Sequence, residues 1–363
     1  MKLFGRKSGR EQSRPALARG HAAGAIGEWP TSYEAQVRAG YAANPVAQRA
    51  VRLVAESVGW APITAPGSAL AALVAARSGG QGLLETVAAQ LLLHGNAYVQ
   101  LIGDGRGGVG ELYALRPERV GIEADANGWP VAFRYRVGER AMRLPVEEVV
   151  HLKAFHPLDD HYGLGCLGAA AGAVAIHNAA TRWNKALLDN AARPSGALVY
   201  DPGDGSALSG EQFERLRAEM EAGFAGAGNA GRPMLLEGGL TWQAMSLSPA
   251  DMDFVGLKAA AAREIALAFG VPPMLLGLPG DATYANYREA NRALWRLAVL
   301  PLAGAILSGL AQGLRPWFAG AALLVDVDKV PALAEDRGAL WASVAGADFL
   351  SVEEKRAMLG IGA

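Results

Sequence analysis

Two long helix-forming stretches bracket a short insert, and this pairing restricts the possible folds more than any other feature of the chain. From Gly165 to Arg193 the sequence is Ala-rich and free of proline over 29 residues, roughly 40 Å of helix at 1.5 Å per residue. The second stretch, Pro249 to Phe269, places Asp251 and Asp253 in its first turn, where the helix dipole favours acidic side chains. Between them the sequence predicts a strand at Gly196 to Tyr200, a helix at Ser209 to Gly223 opened by Ser209 and Glu211, a Gly/Ala-rich loop, and two strands near Met234 to Leu236 and Leu240 to Met245. Two rods of this length carry an insert toward one end of a molecule, so an elongated subunit rather than a sphere is expected. Elongated subunits that meet head to tail with a closing rotation form rings.

The flanking regions read as α+β. Residues 1–29 mix Gly, Arg, Ser and Ala without periodicity and are expected to be a flexible arm. Asn44 before Pro45 supplies a cap and a helix-starting proline for a helix reaching Glu56, with Val46, Ala50, Val51 and Val54 on one side. Further helices are expected at Ser68 to Ala76 and Leu83 to His94. Short β-rich runs follow at Ala97 to Ile102, Glu111 to Leu115, Val120 to Glu123, Phe133 to Val137 and Glu148 to Leu152, with Asn127-Gly128 as a hairpin turn. They predict an antiparallel sheet packed on helices. After Gly270 the pattern gives a helix from about Tyr284 to Gly313 that must kink or break at Pro301, a short strand at Leu323 to Val327 and a final helix pair.

Composition removes several classes of function. Hydrophobic residues make up 51% and charged residues 19% of the 363 positions, which argues against wholesale disorder. With 34 Lys and Arg against 35 Asp and Glu, the formal charge is −1, unlike a protein that grips nucleic acid through a broad basic patch. Cys166 is the only cysteine, so no internal disulfide or cysteine zinc site is expected. The basic start, Met1 to Lys7, lacks the apolar core of an export signal. The uncharged run Leu297 to Leu314 is 18 residues long, the short edge of what spans a bilayer. Pro301, Ser308 and Gln312 interrupt it, and a buried helix is the expectation.

Catalytic motifs fail on context. Gly105, Gly107 and Gly110 satisfy G-x-G-x-x-G, but Glu111 to Leu115 after them reads as a strand, not as a helix facing a pyrophosphate. His151, His156 and His161 recur every five residues beside Asp159 and Asp160, a spacing that suits neither one helix face nor one strand face. Asp326 and Asp328 are expected to be solvated carboxylates. A nucleophile elbow, a Walker loop and H-E-x-x-H are absent from the sequence. The alternatives to a structural protein are a small-molecule enzyme using the Gly105–Gly110 loop, or a membrane pore through Leu297–Leu314. No cofactor and no metal is implied.

Seven strings at element boundaries carry a resemblance. They are His94-Gly95-Asn96-Ala97-Tyr98-Val99, Leu115-Arg116-Pro117-Glu118-Arg119-Val120, Val149-Val150-His151-Leu152-Lys153, Tyr162-Gly163-Leu164-Gly165, Gly231-Arg232-Pro233-Met234-Leu235-Leu236, Gly270-Val271-Pro272-Pro273-Met274-Leu275-Leu276-Gly277, and Tyr284-Ala285-Asn286. In this order the chain resembles tailed-bacteriophage portal proteins of the long-tailed-phage type, as also found in gene transfer agents. It departs from the pattern at Gly165-Cys166, where the family usually has Ser-Pro, and in its short C-terminal region.

The resemblance implies a ring of about twelve subunits at one capsid vertex, through which double-stranded DNA is packaged and leaves. It implies an α/β wing at 30–165 and 271–330, stem helices at 166–194 and 248–270, a clip at 195–247, and a short crown at 331–363. Leu278, Pro279, Gly280, Asp281, Ala282, Thr283, Tyr284, Asn286 and Arg288 would form a tunnel loop, and Lys258 and Arg263 would be sparse basic rings along the channel. Implied partners are further copies of the chain, DNA held weakly and without sequence preference, the large terminase subunit, the major capsid protein and a head-tail adaptor. No membrane is implied. The place is a virion or virus-like particle, assembled in the bacterial cytoplasm.

Overall fold

The computed structural model describes residue 17 and residues 32–78, 80–189, 196–203, 207–224, 239–244, 254–278 and 284–360. The Met234 to Leu236 strand, Asp251, Asp253 and residues 279–283 lie outside them, as does the N-terminal arm apart from Leu17. The chain divides into two compact units, one of residues 1–171 with 265–363 and one of residues 172–264.

In the first unit, α1 (Tyr33–Val37) runs into a π-helical turn at Arg38–Ala42. Asn44 caps α2 (Pro45–Gly59) as expected: its Oδ1 accepts from the N–H groups of Val46 (3.1 Å) and Ala47 (3.0 Å). Pro45 stands in the first turn, where no intrahelical N–H bond is lost. Then come β1 (Ile63–Thr64), α3 (Ser68–Ala75), the short hairpin of β2 (Arg77–Ser78) and β3 (Gln81–Gly82), and α4 (Leu83–His94).

The β-rich region holds β4 (Asn96–Gly103), β5 (Val109–Leu115), β6 (Val120–Ala124), β7 (Pro130–Val137), β8 (Arg140–Pro145) and β9 (Val149–Lys153). These form two three-stranded antiparallel sheets, in the orders β5-β4-β9 and β6-β7-β8, rather than the single sheet expected. The sequence pattern misses β8 because its residues are solvent-exposed from Arg140 to Arg143 and only Leu144 is buried. Asn127-Gly128 does turn β6 into β7: Asp125 Oδ1 accepts from the N–H groups of Asn127 and Trp129, and Gly128 has φ 86°. The carbonyl of Asn127 also accepts from the N–H of Leu17, at 2.9 Å. Both sheets contribute to one core of Tyr98, Leu115, Val120, Ile122, Phe133, Leu144 and Val149.

From the first unit α5 (Cys166–Asp189) leads into the second, where β10 (Gly196–Tyr200), α6 (Gly210–Phe224) and β11 (Leu240–Ala244) follow. β10 and β11 pair antiparallel from Gly196 opposite Ala244 to Tyr200 opposite Leu240. Ser209 opens α6 with Gln212 rather than Glu211 as its partner. Its hydroxyl accepts from the Gln212 N–H, and Gln212 Oε1 accepts from the Ser209 N–H, the reciprocal box that requires a three-residue offset.

The chain returns through α7 (Phe254–Ala268), a 3₁₀ turn at Pro273–Leu276, and α8 (Tyr284–Leu294). The kink or break expected at Pro301 does not occur there. α8 passes through a π-helical turn, Trp295–Val299, into α9 (Leu300–Leu314). The irregular hydrogen bonding falls one turn ahead of the proline, leaving Pro301 in the first turn of α9, where its missing N–H costs least.

One side of α9 is core: Ala303, Ile306, Leu307, Leu310, Ala311 and Leu314 are buried. A Cβ at Gly309 would stand 2.1 Å from Leu152 Cδ2, and one at Gly313 2.3 Å from Val150 Cγ2, so these glycines let the helix lie directly on β9. The stretch Ala285–Leu314 is long and apolar enough to cross a bilayer, yet its apolar side is occupied by the fold. The chain closes with β12 (Leu324–Val325), paired antiparallel with β1, and the expected helix pair, α10 (Ala334–Ala345) and α11 (Val352–Leu359).

The buried junction and the candidate conduit elements

Three of the seven boundary strings meet at one point. Gly95 ends α4 with φ 81°, and its carbonyl accepts from the Ala154 N–H at 2.8 Å. A Cβ on Gly163 would stand 2.1 Å from that carbonyl oxygen, and a Cβ on Gly165 2.5 Å from the Leu93 carbonyl oxygen. The end of α4, the exit of β9 and the entry to α5 therefore touch backbone to backbone, which only glycine permits.

Asn96 fills the centre of this contact. Its Oδ1 accepts from the Gly163 N–H (2.8 Å), and its Nδ2 donates to the Gly163 carbonyl (3.2 Å). A backbone N–H can only donate, so the orientation of the amide is fixed. It follows that His151 donates from Nε2 to Oδ1 (3.1 Å), and that His94 accepts at Nδ1 from Nδ2 (3.1 Å).

The His151 ring stacks on Tyr98 with centroids 4.3 Å apart, and Tyr98 meets Phe133 edge-on at 5.5 Å. Burial, reinforced by the neighbouring Lys153, lowers the His151 pKa to about 3. Burial also lowers that of His94, against a weaker opposing pull from Glu118. Both rings are neutral at pH 7, in keeping with their hydrogen-bond roles. Tyr162 joins the second sheet to the junction, its hydroxyl accepting from the Ile122 N–H at 3.3 Å.

The remaining chemical candidates separate. His151 belongs to the junction, His156 Nδ1 accepts from the Leu158 N–H, and His161 is buried beside Asp159, whose Oδ1 accepts from the N–H groups of His161 and Tyr162. Among the described residues no group of three or more His, Cys, Asp or Glu is arranged to hold a metal ion. The Gly105–Gly110 loop closes the β4–β5 hairpin. There Asp104 Oδ1 accepts from the N–H groups of Arg106 and Gly108, bonds that hold the carboxyl below its usual range. β5 follows directly, so no helix N-terminus faces the glycines. Asp326 and Asp328 are not simply solvated. Asp326 pairs with Lys329 at 2.9 Å, and Asp328 pairs with Arg337 and accepts from Trp341 Nε1.

Lys258 and Arg263 both lie on α7. Five residues apart, they point about 140° away from each other around the helix. Lys258 is half-buried, and its charge adds to burial in lowering the pKa of His177 on α5. Arg263 is exposed, and its Nη1 donates to the Ala259 carbonyl at 3.4 Å.

Leu278 is the last described residue before 279–283, while Tyr284, Asn286 and Arg288 belong to the first turns of α8 rather than to a loop. Arg288 pairs with Glu335 of α10. Sequence reasoning missed Arg292 and Arg296, which continue the same stripe. Their four-residue spacing was visible, but Glu335 and Asp336, which they share, lie some 40 residues away in sequence.

A mixed α+β subunit, with two three-stranded antiparallel sheets among the described residues and a second compact unit at 172–264, is the class that these elements define. The chain belongs to the phage portal protein family, which matches residues 45–360. An uncharacterised protein of Rickettsia bellii (strain RML369-C) is 40% identical over 344 residues, covering 88% of this chain and 87% of that protein. The probable portal protein of Streptomyces phage phiC31 is 26% identical over 247 residues, 62% of this chain and 51% of the phage protein. Among solved structures, a chain of the neck of a native gene transfer agent particle, computed with C12 symmetry, is 50% identical with a TM-score of 0.71, covering 92% of this chain and 95% of that one.

Proposed function

We propose that about twelve copies of this chain close into a ring at one capsid vertex, and that double-stranded DNA enters and leaves the particle through its hole. The observation that carries this reading is the half-identical chain in the C12 neck of a gene transfer agent particle, matched over nearly its whole length. Residues 30–165 and 271–330 form the wing, 166–194 and 248–270 the stem, 195–247 the clip and 331–363 a short crown. In this reading the chain has no catalytic activity. The large terminase subunit supplies the motor and docks at the clip, the major capsid protein surrounds the ring, and a head-tail adaptor follows it.

Near-neutral charge suits a conduit. Symmetry turns one inward cation per subunit into a ring of about twelve, and roughly ten phosphate contacts would already hold a duplex tightly and make binding steeply salt-dependent. Arg263, exposed on α7, is the stronger of the two stem candidates, because half-buried Lys258 faces another way. In this reading the chain from Leu278 to Arg288 nears the DNA, with Tyr284, Asn286 and Arg288 carried on α8.

Electron microscopy of the purified chain tests the ring. Axial views with a central hole are expected, and monomers alone at every concentration and salt would overturn the proposal.

A further inference from the structure

Arg288 and Arg292 on α8 and Arg296 in the π-helical turn that continues it stand about one helical turn apart, and each meets a carboxylate at the start of α10. Arg288 and Arg292 share Glu335, the latter at 2.8 Å, while Arg292 (3.5 Å) and Arg296 share Asp336. Glu289 gives Arg292 a further partner at 3.0 Å. The i, i+4, i+8 spacing keeps the guanidiniums on one side of the helix. The adjacent Glu335 and Asp336 bridge them in alternation, so three cations face three carboxylates. Arg292, in the middle, is 16% exposed, whereas Arg288 and Arg296 are about half exposed. Apolar packing adds little on the α10 side, because Val344 is its one buried residue. Ion pairs are the side-chain contacts between the two helices, beside the turn Pro331–Leu333 whose Leu333 is buried.

A carboxylate and a phosphate can each bind a guanidinium through the same pair of parallel N–H···O bonds. The three arginines are thus a stripe of phosphate-binding groups covered by the chain's own acids, on the helix that directly follows residues 279–283. We propose that Glu335 and Asp336 form an autoinhibitory latch: α10 holds α8 in place and masks its arginines until the phosphates of a polyanionic backbone displace the two carboxylates. The latch needs only one subunit. It rests on the DNA-conducting reading solely for the identity of the polyanion.

The test uses the full chain, its Glu335→Gln/Asp336→Asn variant, and a short DNA duplex as probe. Hydrogen exchange in 284–294 and in 334–345 should rise together in the variant by about tenfold, the scale set by losing several exposed pairs. Duplex affinity should rise, and its salt dependence should steepen by roughly two to three contacts. Adding Arg292→Ala should remove most of that gain. Unchanged exchange in 284–294, or duplex binding equal to that of the wild type, would overturn the latch. Protection of β4 at its wild-type level verifies that the variant is folded, and ring formation is scored separately by microscopy.

Discussion

Asn96 and Arg292 each stand at the centre of a polar cluster, and the two clusters hold their surroundings by opposite means. Around Asn96 everything is neutral and enclosed: two imidazoles, the Gly163 peptide, and glycine backbones too close for a side chain. Around Arg292 everything is charged, and its partners reach solvent. Buried hydrogen bonds are costly to leave unmade and indifferent to salt. Exposed ion pairs contribute at most about 1 kcal/mol each and are screened. The difference teaches which part of the subunit is fixed, namely the point where α5 leaves the sheets, and which part can be released, namely the attachment of α10.

The severest way to break this contrast is Gly163→Ala. The new Cβ meets only backbone atoms of Gly95 and Ala154, which cannot rotate away, and a loss of about 4 kcal/mol or more is expected. A thermal midpoint close to the wild type's would show that the backbones are not in contact. Asn96→Ala comes next. It leaves the Gly163 N–H and the His151 Nε2–H without partners in a buried site, costing about 2 to 4 kcal/mol in urea titrations.

Acid probes the same cluster more gently. The folded pKa values of His151 and His94 lie below the ordinary imidazole value, so the unfolded chain binds protons first. Stability is complete above pH ~6.5 and falls as the pH drops toward the folded value of about 3 for His151, by up to about 1.4 kcal/mol per pH unit for each group. A urea midpoint that does not change between pH ~7 and ~5 would mean that the imidazoles are not buried neutral.

Salt gives the smallest effect and sharpens the comparison from the other side. Raising the ionic strength about tenfold should speed exchange in α10 by a few-fold while leaving β4 unchanged. Equal responses in the two segments would erase the distinction.

Much of the fold was legible because it is local. The cap at Asn44-Pro45, the turn at Asn127-Gly128 and the limits of α4, β10 and α6 follow from residues within four positions of one another. β8 was hidden because exposed residues such as Arg140 and Met142 leave no alternation to see. The division into two sheets was hidden because strand pairing is a choice among distant partners. Of the boundary strings, the sequence supplied their identity and order but not their meeting. Asn96 is 67 residues from Gly163 and 55 from His151, and no periodicity links them. Arg288 stood out as a loop residue beside 279–283, yet it belongs to a helix and faces α10.

By itself, then, the sequence determined most of the helices and strands, though not β8 or the break ahead of Pro301, that an insert lies between two helical stretches, and which family the chain resembles. Those properties depend on backbone preferences and side-chain spacing over a few residues. The tertiary structure alone decided that glycines from three elements touch, that the Asn96 amide fixes two histidine tautomers, and that Arg288, Arg292 and Arg296 are covered by carboxylates from α10. Each of these is a contact between residues tens of positions apart, selected by the packing of the whole unit and not by either partner's neighbours.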